Sequence, residues 1–307
     1  MEIIHALDPG TSHHPVVLTM GKFDGLHLGH QRLIATAIER AQALGLESAV
    51  LTWEPHPNAV LRPDQPLRLL TSLEEKIELI ARQNPDRLII APFTTATMAT
   101  SAEAYMAEVR AAFPLRELWV GEDFAMGRGR SGNVARLRAI GTELGFTVGT
   151  VDSVLLDGAP VSASRVRELL EAGDLAGVAR LLGRTFSLRG RVITGDRRGR
   201  QIGFPTANLQ IAPEHVLPAD GVYACRAYLD AESIPAVTNI GVRPTFDGLR
   251  RTVEAHLLDW SGDIYEHSLR LECVARLRGE QRFTGIEALV AQIELDVAEA
   301  RRLLSAT

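Results

Sequence analysis

Hydrophobic positions follow two rhythms along the chain, and the change comes near residue 185. Before it, short apolar runs alternate with stretches of helical period. The runs at 16–20, 48–53, 87–90, 117–120 and 147–151 predict strands, and the periodic stretches at 29–43, 73–82, 102–112, 133–144 and 164–172 predict helices. Strands alternating with helices imply a parallel α/β sheet with right-handed crossovers. One more helix is predicted over 175–182, ended by Gly183. Beyond it the pattern predicts short strands at 187–193, 222–229, 236–240, 252–258 and 268–276, punctuated by Gly, Pro and Asp. The tail, 285–304, spaces Leu289, Ile293, Val297, Ala300 and Leu304 as the apolar stripe of a closing amphipathic helix. The second part therefore reads as a small β-barrel with a C-terminal helix. The expected division is 1–184 and 185–307, and 307 residues suffice for two cores.

Composition narrows the class. Apolar residues make up 46% and charged residues 23%, which excludes disordered, collagen-like and coiled-coil chains. No run approaches the ~18 apolar residues of a membrane helix, and the first residues lack the basic and apolar regions of a signal peptide. Cys225 and Cys273 are too few for a disulfide framework and are expected as buried, inert thiols. These features predict a cytoplasmic protein. Net charge is −4 over residues 1–184 and −1 over 185–307, so neither part has the basic excess of a nucleic-acid binder. Of 33 basic residues only Lys22 and Lys76 are lysines, and no GxxxxGK[ST] occurs, so any nucleotide phosphate must be held without a P-loop.

The first chemistry-bearing segment is Gly21-Lys-Phe-Asp-Gly-Leu-His-Leu-Gly-His30, between the first predicted strand and first long helix. In α/β sheets ligands bind beyond the carboxyl ends of strands, where this loop belongs. Gly21 and Gly25 permit tight turns and close backbone approach. His27 and His30, three apart, share a face at a helix N-terminus, where free N–H groups and the helix dipole favour an anion. Two imidazoles there suit a phosphate in transit. Zinc binding is one alternative, with His56 as a further imidazole but no cysteine in this half; plain helix capping is another.

The segment resembles the HxGH signature of the nucleotidylyltransferase superfamily, and its longer form, GxFDGxHxGH, resembles the FAD synthetase branch. Thr52-Trp-Glu-Pro-His-Pro57, Leu73-Glu-Glu-Lys76, Val120-Gly-Glu-Asp-Phe124 and Val161-Ser-Ala-Ser-Arg-Val-Arg167 are similar to that branch in the same order. The resemblance implies a Rossmann-like domain in which FMN phosphate attacks the α-phosphorus of ATP in line and pyrophosphate leaves. It implies His27, His30 and Arg167 as catalytic. It also implies Gly21, Phe23, Asp24, Gly25, Gly29, Asp123, Ser162 and Ser164 as nucleotide- or phosphate-binding. Departures are Ala163 for a usual serine, Ser164 for threonine, Ala125-Met126 for Arg-Phe, and Lys22 where Asn is frequent. Losing the hydroxyl at 163 removes a phosphate hydrogen bond worth ~1–3 kcal/mol.

The second segment runs from Gly195 to Asn208 as Gly-Asp-Arg-Arg-Gly-Arg-Gln-Ile-Gly-Phe-Pro-Thr-Ala-Asn. Glycines let backbone wrap a polyphosphate and arginines supply charge, although such a loop is also what an exposed hairpin looks like. Thr206 and Asn208 carry hard oxygen donors of the kind Mg²⁺ uses. Glu254, on an alternating strand, reads by itself as an outward carboxylate. Gly-Phe-Pro-Thr-Ala-Asn resembles the riboflavin kinase signature. Pro218-Ala-Asp-Gly-Val-Tyr223, Asn239-Ile-Gly-Val-Arg-Pro-Thr245, Thr252-Val-Glu254 and Arg278-Gly-Glu-Gln-Arg-Phe283 follow in that family's order. The resemblance implies a six-stranded antiparallel barrel that phosphorylates riboflavin from MgATP. Glu254 would be the general base, and Gly195, Gly203, Pro205, Thr206 and Asn208 would bind phosphate. Thr206 and Asn208 would hold Mg²⁺, and Arg278 and Glu280 would contact flavin. Glu266 stands where glycine is usual. Trp53 is open between lining the first site and packing, while Trp119 and Trp260 read as packing.

Both resemblances together cover about residues 15–303 and imply the bifunctional FAD synthetase family. The implied partners are riboflavin, FMN and ATP, with no nucleic acid and no membrane. Three rivals remain at this level. A chain with only its kinase active is favoured by Ala163 and opposed by His27 and His30. A flavin sensor without turnover is opposed by Glu254 beside Thr206 and Asn208. A different adenylyltransferase with an unrelated barrel is opposed by Pro-Thr-Ala-Asn.

Overall fold

The structure is a computed structural model that describes residues 1–195, 199, 202–230, 232–245 and 248–305. It divides into two compact units, Met1–Ala163 and Ser164–Thr307.

In the first unit the run Val16–Met20 forms β2, buried at every position, as expected of a central strand covered on both faces. A turn of 3-10 helix, Asp24–Leu26, leads into α1, Leu28–Leu44, which ends on left-handed Gly45. Then come β3 (Glu47–Glu54), α2 (Pro57–Leu61), α3 (Leu73–Ala81) and β4 (Arg87–Pro92). After these follow α4 (Thr95–Ala99), α5 (Ala102–Ala112) and β5 (Leu115–Gly121). A small hairpin, β6 (Ala125–Met126) with β7 (Gly132–Asn133), precedes α6 (Val134–Leu144) and β8 (Thr147–Val151). A second hairpin, β9 (Leu155–Leu156) with β10 (Ala159–Pro160), ends the unit. Glu2–Ile4, β1, joins the sheet edge, and the parallel order is β1-β4-β3-β2-β5-β8.

The helices start where their caps dictate. Ser72 and Glu75 make a capping box for α3, Ser101 caps α5 and Asn133 caps α6. One face of the sheet packs Leu18, Met20 and Leu51 against Met106 and Val109 of α5 and Leu137 and Ile140 of α6. The other packs Val50, Leu88 and Ile90 against Leu33 and Ile34 of α1 and Ile80 of α3. Each fully buried side chain of this size contributes ~1.5–3 kcal/mol. Strand order reverses at β2, which has β3 on one side and β5 on the other, so the loops after β2 and β5 flank a crevice.

In the second unit α7 (Ala163–Ala172) and α8 (Leu175–Leu182) precede a closed antiparallel barrel. Its strands are β11 (Phe186–Ile193), β12 (Ala207–Gln210), β13 (Gly221–Leu229), β14 (Glu232–Thr245), β15 (Gly248–Leu257) and β16 (Ser268–Arg278). Around the ring the order is β11-β12-β15-β14-β13-β16. Val192, Leu209, Val253 and Ile240 are register neighbours that fill its interior. Outward Val222, Ala224 and Val237 are covered by Ala300 and Leu304 of α9, Ile286–Ser305. Cys225 and Cys273 are opposite one another and buried; hydrogen bonding with Cys225 and burial hold the Cys273 thiol well above its ordinary value.

The packing boundary lies earlier than the change of sequence rhythm. The amide of Ala219 donates to Leu170 of α7 at 2.9 Å, and α8 packs on β11 and β16, so both helices belong with the barrel. Their helical period matches what precedes them, which is why pattern alone groups them with the α/β part.

Candidate functional sites

At the crevice of the first unit lies a cavity of about 700 Å³. His27 ends the loop as the N-cap of α1, and its Nδ1 accepts the His30 amide at 3.4 Å. The two rings stack, centroids 3.6 Å apart at 21°, and both line the cavity. The His30 and Phe23 rings meet in a T, centroids 5.3 Å apart, and among the described residues the His30 Nδ1 is buried without a hydrogen-bond partner. Burial first, then the charges of His27 and Lys76, hold His30 well below its ordinary value, so it is neutral at physiological pH.

Gly21, Phe23, Gly29, Asp123 and Ser162 also line the cavity. A side chain at Gly29 would come 3.2 Å from the His27 ring. Asp24 and Gly25 have a different place. Asp24 accepts the amides of Leu70 at 2.8 Å and Thr71 at 3.2 Å, and neither residue lines the cavity. Gly25 is left-handed at φ +74°, and a Cβ there would lie 2.7 Å from Leu70. The close approach that Gly25 permits is thus to Leu70 rather than to a ligand. Ser164 and Arg167 lie on α7, in the second unit.

His56 caps α2 by accepting the Asn58 amide at 3.2 Å, and among the described residues no three His, Cys, Asp or Glu side chains converge as a metal site. Trp53 does both things open to it: it lines the cavity and packs in the core, donating to Tyr105 Oη at 2.7 Å. Trp119 packs, donating to Glu117 at 2.7 Å. Sequence reasoning missed Tyr105, Asn58, Arg62 and Arg130 on the cavity wall. Arg130 carried one signal, two glycines in the preceding three residues, and it is left-handed at φ 58°.

In the second unit, Glu254 on β15 stands between Asn208 on β12 and Asn239 on β14, all in register on the outward face. Glu254 is only 8% exposed, and the Thr252 hydroxyl donates to it at 3.3 Å. Gly195 fits because it lacks a side chain: a Cβ there would lie 2.2 Å from Asn208 Nδ2. Gly203 is left-handed at φ +89°. The Pro205 carbonyl pairs with His256 Nδ1 at 2.7 Å, fixing the backbone just before Thr206. The Glu280 carboxylate lies over Gly241, beside Asn239. Arg278 is occupied within the barrel unit: its guanidinium donates to Asp296 of α9 at 2.7 and 3.0 Å. Arg197, Arg198 and Arg200 lie outside the described residues.

The family model for FAD synthetase matches residues 10–165, and that for riboflavin kinase matches residues 182–304. The chain is 40% identical over 303 residues to the bifunctional riboflavin kinase/FMN adenylyltransferase of Pseudomonas fluorescens, covering 98% of this chain and 96% of that protein. It is 36% identical to the protein of the same description from Escherichia coli K12, covering 95% and 93%, and 34% identical to that of Bacillus subtilis, covering 99% of each. Among solved structures, one described as a macrolide-efflux protein from Streptococcus pneumoniae matches with a TM-score of 0.88 at 27% identity, over 97% of this chain and 98% of that one. Among the described residues of this chain no helix is long and apolar enough to cross a membrane.

Proposed function

The chain belongs to the bifunctional riboflavin kinase/FMN adenylyltransferase family, and from that premise we propose how its two sites divide the work. It phosphorylates riboflavin with ATP to FMN and ADP, then joins FMN to the adenylyl group of a second ATP, giving FAD and pyrophosphate. The observation that carries the division is that each signature folds into its own polar site: stacked His27 and His30 on the cavity, and Glu254 in register with Asn208 on the barrel.

In the first site no protein nucleophile is needed; the work is positioning and charge stabilisation. His27 turns its Nδ1 lone pair to the His30 amide, which puts its proton on Nε2, and the motif assigns this ring to a phosphate oxygen. Neutral His30 is held by burial against Phe23 and supplies a second donor without adding a charge. Gly21, Gly29, Asp123 and Ser162 shape the nucleotide pocket, with Ser164 and Arg167 assigned to phosphate by the motif they complete. Asp24 and Gly25 serve it by holding the loop to residues 70–71.

In the second site Glu254, nearly buried and within one register step of Asn208, accepts the ribityl hydroxyl proton as the γ-phosphoryl group transfers. Gly195, Gly203 and Pro205 shape the phosphate loop. Thr206 and Asn208 offer a hydroxyl and an amide oxygen, a donor set that fits Mg²⁺, and Gly195 leaves the space in which the amide sits. When bound, that ion would neutralise charge on the transferring phosphate. Glu280 lies at Gly241 on the same outward face, and it and Arg278 are assigned to flavin contact; Arg278 also ties α9 to β16. The functional partition is proposed at 1–184 and 185–307, and the location as cytoplasmic.

The test is product analysis. The purified chain with riboflavin, ATP and Mg²⁺ should form FMN and then FAD, separated by chromatography with fluorescence detection. His30→Ala should abolish FAD and spare FMN; Glu254→Ala should abolish FMN and spare FAD made from supplied FMN. Either variant retaining the activity it is assigned to would remove that residue from its role. Riboflavin held without turnover would favour a sensor.

A further inference from the structure

The chain carries 31 arginines and two lysines, and both lysines lie in the first unit. Lys22 lines the cavity, where its Nζ donates to Asn58 Oδ1 at 3.1 Å. Lys76 is the unusual one. It is 4% exposed, on the face of α3 whose Leu73, Ile77 and Ile80 pack with Phe23 and Leu26 of the loop. An ammonium inside such packing is costly unless opposite charges face it. Glu54, at the end of β3, and Asp24, in the loop, are carboxylates whose charge acts on it. Asp24 in turn holds the amides of Leu70 and Thr71, and the Gly25 amide donates to Thr71 Oγ1 at 3.1 Å. The loop is therefore tied by buried hydrogen bonds to the residues that lead into α3. It needs such a hold: Phe23 at φ 50° and Leu26 at φ 37° are left-handed without being glycine, a state that persists only where the surroundings enforce it.

We propose that Lys76 is a positioning residue of the adenylyl-transfer site: buried on the face of α3 that packs with Phe23 and Leu26, it holds loop 21–30 in the turn that presents His27 and His30 to the cavity. The inference rests on the reading of that cavity given above. Lysine suits the place because its head is compact; a guanidinium is larger, planar and forked, and demands several partners in one plane. Lys76 also bears on the charge of His30. The groups that do so are His27, at the start of the same helix, and Lys76, from α3, both disfavouring protonation; the charges of Asp24 and Glu54 act on Lys76 in turn.

The experiment uses the full chain and supplied FMN with MgATP, measuring kcat and KM for FAD formation from about pH 5 to 9, the range in which histidine titrates. FMN formation from riboflavin is the internal reference. If the unaltered chain makes no FAD, the reading of the cavity fails, independently of Lys76. If it does, Lys76→Met is expected to lower kcat by about ten- to a hundredfold, the loss that a misplacement near 1 Å produces, and to move the acid limb of kcat/KM to higher pH. FMN formation should be unchanged. An unchanged kcat and acid limb would overturn the proposal. So would a lower kcat with an unmoved acid limb and an equal loss of unfolding midpoint, which is simple loss of packing. If Lys76→Met does not fold, Lys76→Arg decides: the charge remains, kcat is expected to fall at least about tenfold, and wild-type kcat would overturn the proposal.

Discussion

Gly195→Ala isolates the geometry of the kinase site. The backbone at 195 is not in the left-handed region, so alanine brings no dihedral penalty of its own. The new methyl would lie 2.2 Å from Asn208 Nδ2, 2.5 Å from Cγ and 2.8 Å from Oδ1, whereas ordinary contacts begin near 3.4 Å. The whole amide must therefore move by roughly 1 Å, and it is free to, being the end of a side chain rather than backbone. Stability should change by less than about 0.5 kcal/mol, as for a surface substitution. Catalysis should respond far more, because a displacement of about 1 Å in a positioning group costs on the order of a hundredfold in rate. The assay is initial-rate FMN formation at saturating riboflavin and MgATP, with FAD formation from supplied FMN as control. Kinase kcat within about threefold of wild type, well short of that hundredfold, with the unfolding midpoint unchanged, would refute the role of Asn208 at the reacting phosphate. A parallel fall in FAD formation would show a general rather than local effect.

Two further outcomes follow from the structure. Asp296→Asn leaves the Arg278 guanidinium, whose side chain is 16% exposed, without its carboxylate, and should cost about 3–5 kcal/mol in denaturant unfolding; a loss below about 1 kcal/mol, the range of surface pairs, would mean that the pair does not anchor α9. His30 supplies a pH dependence. Above its ordinary value of 6.5 it is neutral folded and unfolded and contributes nothing; as pH falls below 6.5 the unfolded chain takes up a proton that the folded one refuses, so stability declines toward the lowered native value. Between about pH 7.5 and 5.5 the wild type should lose more stability than His30→Leu, and equal slopes would remove His30 as a buried neutral group.

Pattern reading reached most of the fold because most elements carry their own period. Val16–Met20, Ala102–Ala112, Thr147–Val151 and Leu175–Leu182 form with the bounds their hydrophobic spacing predicts. Glu2–Ile4 and the strands of the two small hairpins, two or three residues each, are too short to express a period, and Pro57–Leu61 is little more than one helical turn. Ala207–Gln210 hid inside a Gly- and Pro-rich segment that reads as a loop, although it is the strand that brings Asn208 beside Glu254. His27 and His30 were legible as a pair because they stand three positions apart at the start of one helix. That Asp24 faces residues 70–71 was not, since the partner lies 46 positions away and only the fold supplies it. Tyr105 and Asn58 reach the cavity by the same kind of long-range convergence.

The two sheets also differ in how they come apart. The six-stranded ring has no first or last member, so no strand can detach without breaking pairings on both sides. Opening there should be all-or-none, and its amides should exchange with solvent hydrogen at one common free energy. The parallel sheet ends in β1, three residues hydrogen-bonded to β4 alone, and that strip can peel while β4 keeps β3. Graded hydrogen exchange should therefore run inward from Glu2–Ile4, with the slowest amides of that sheet in the fully buried strand Val16–Met20. The histidine loop follows that strand directly, which places the first site next to the part of its sheet that opens last.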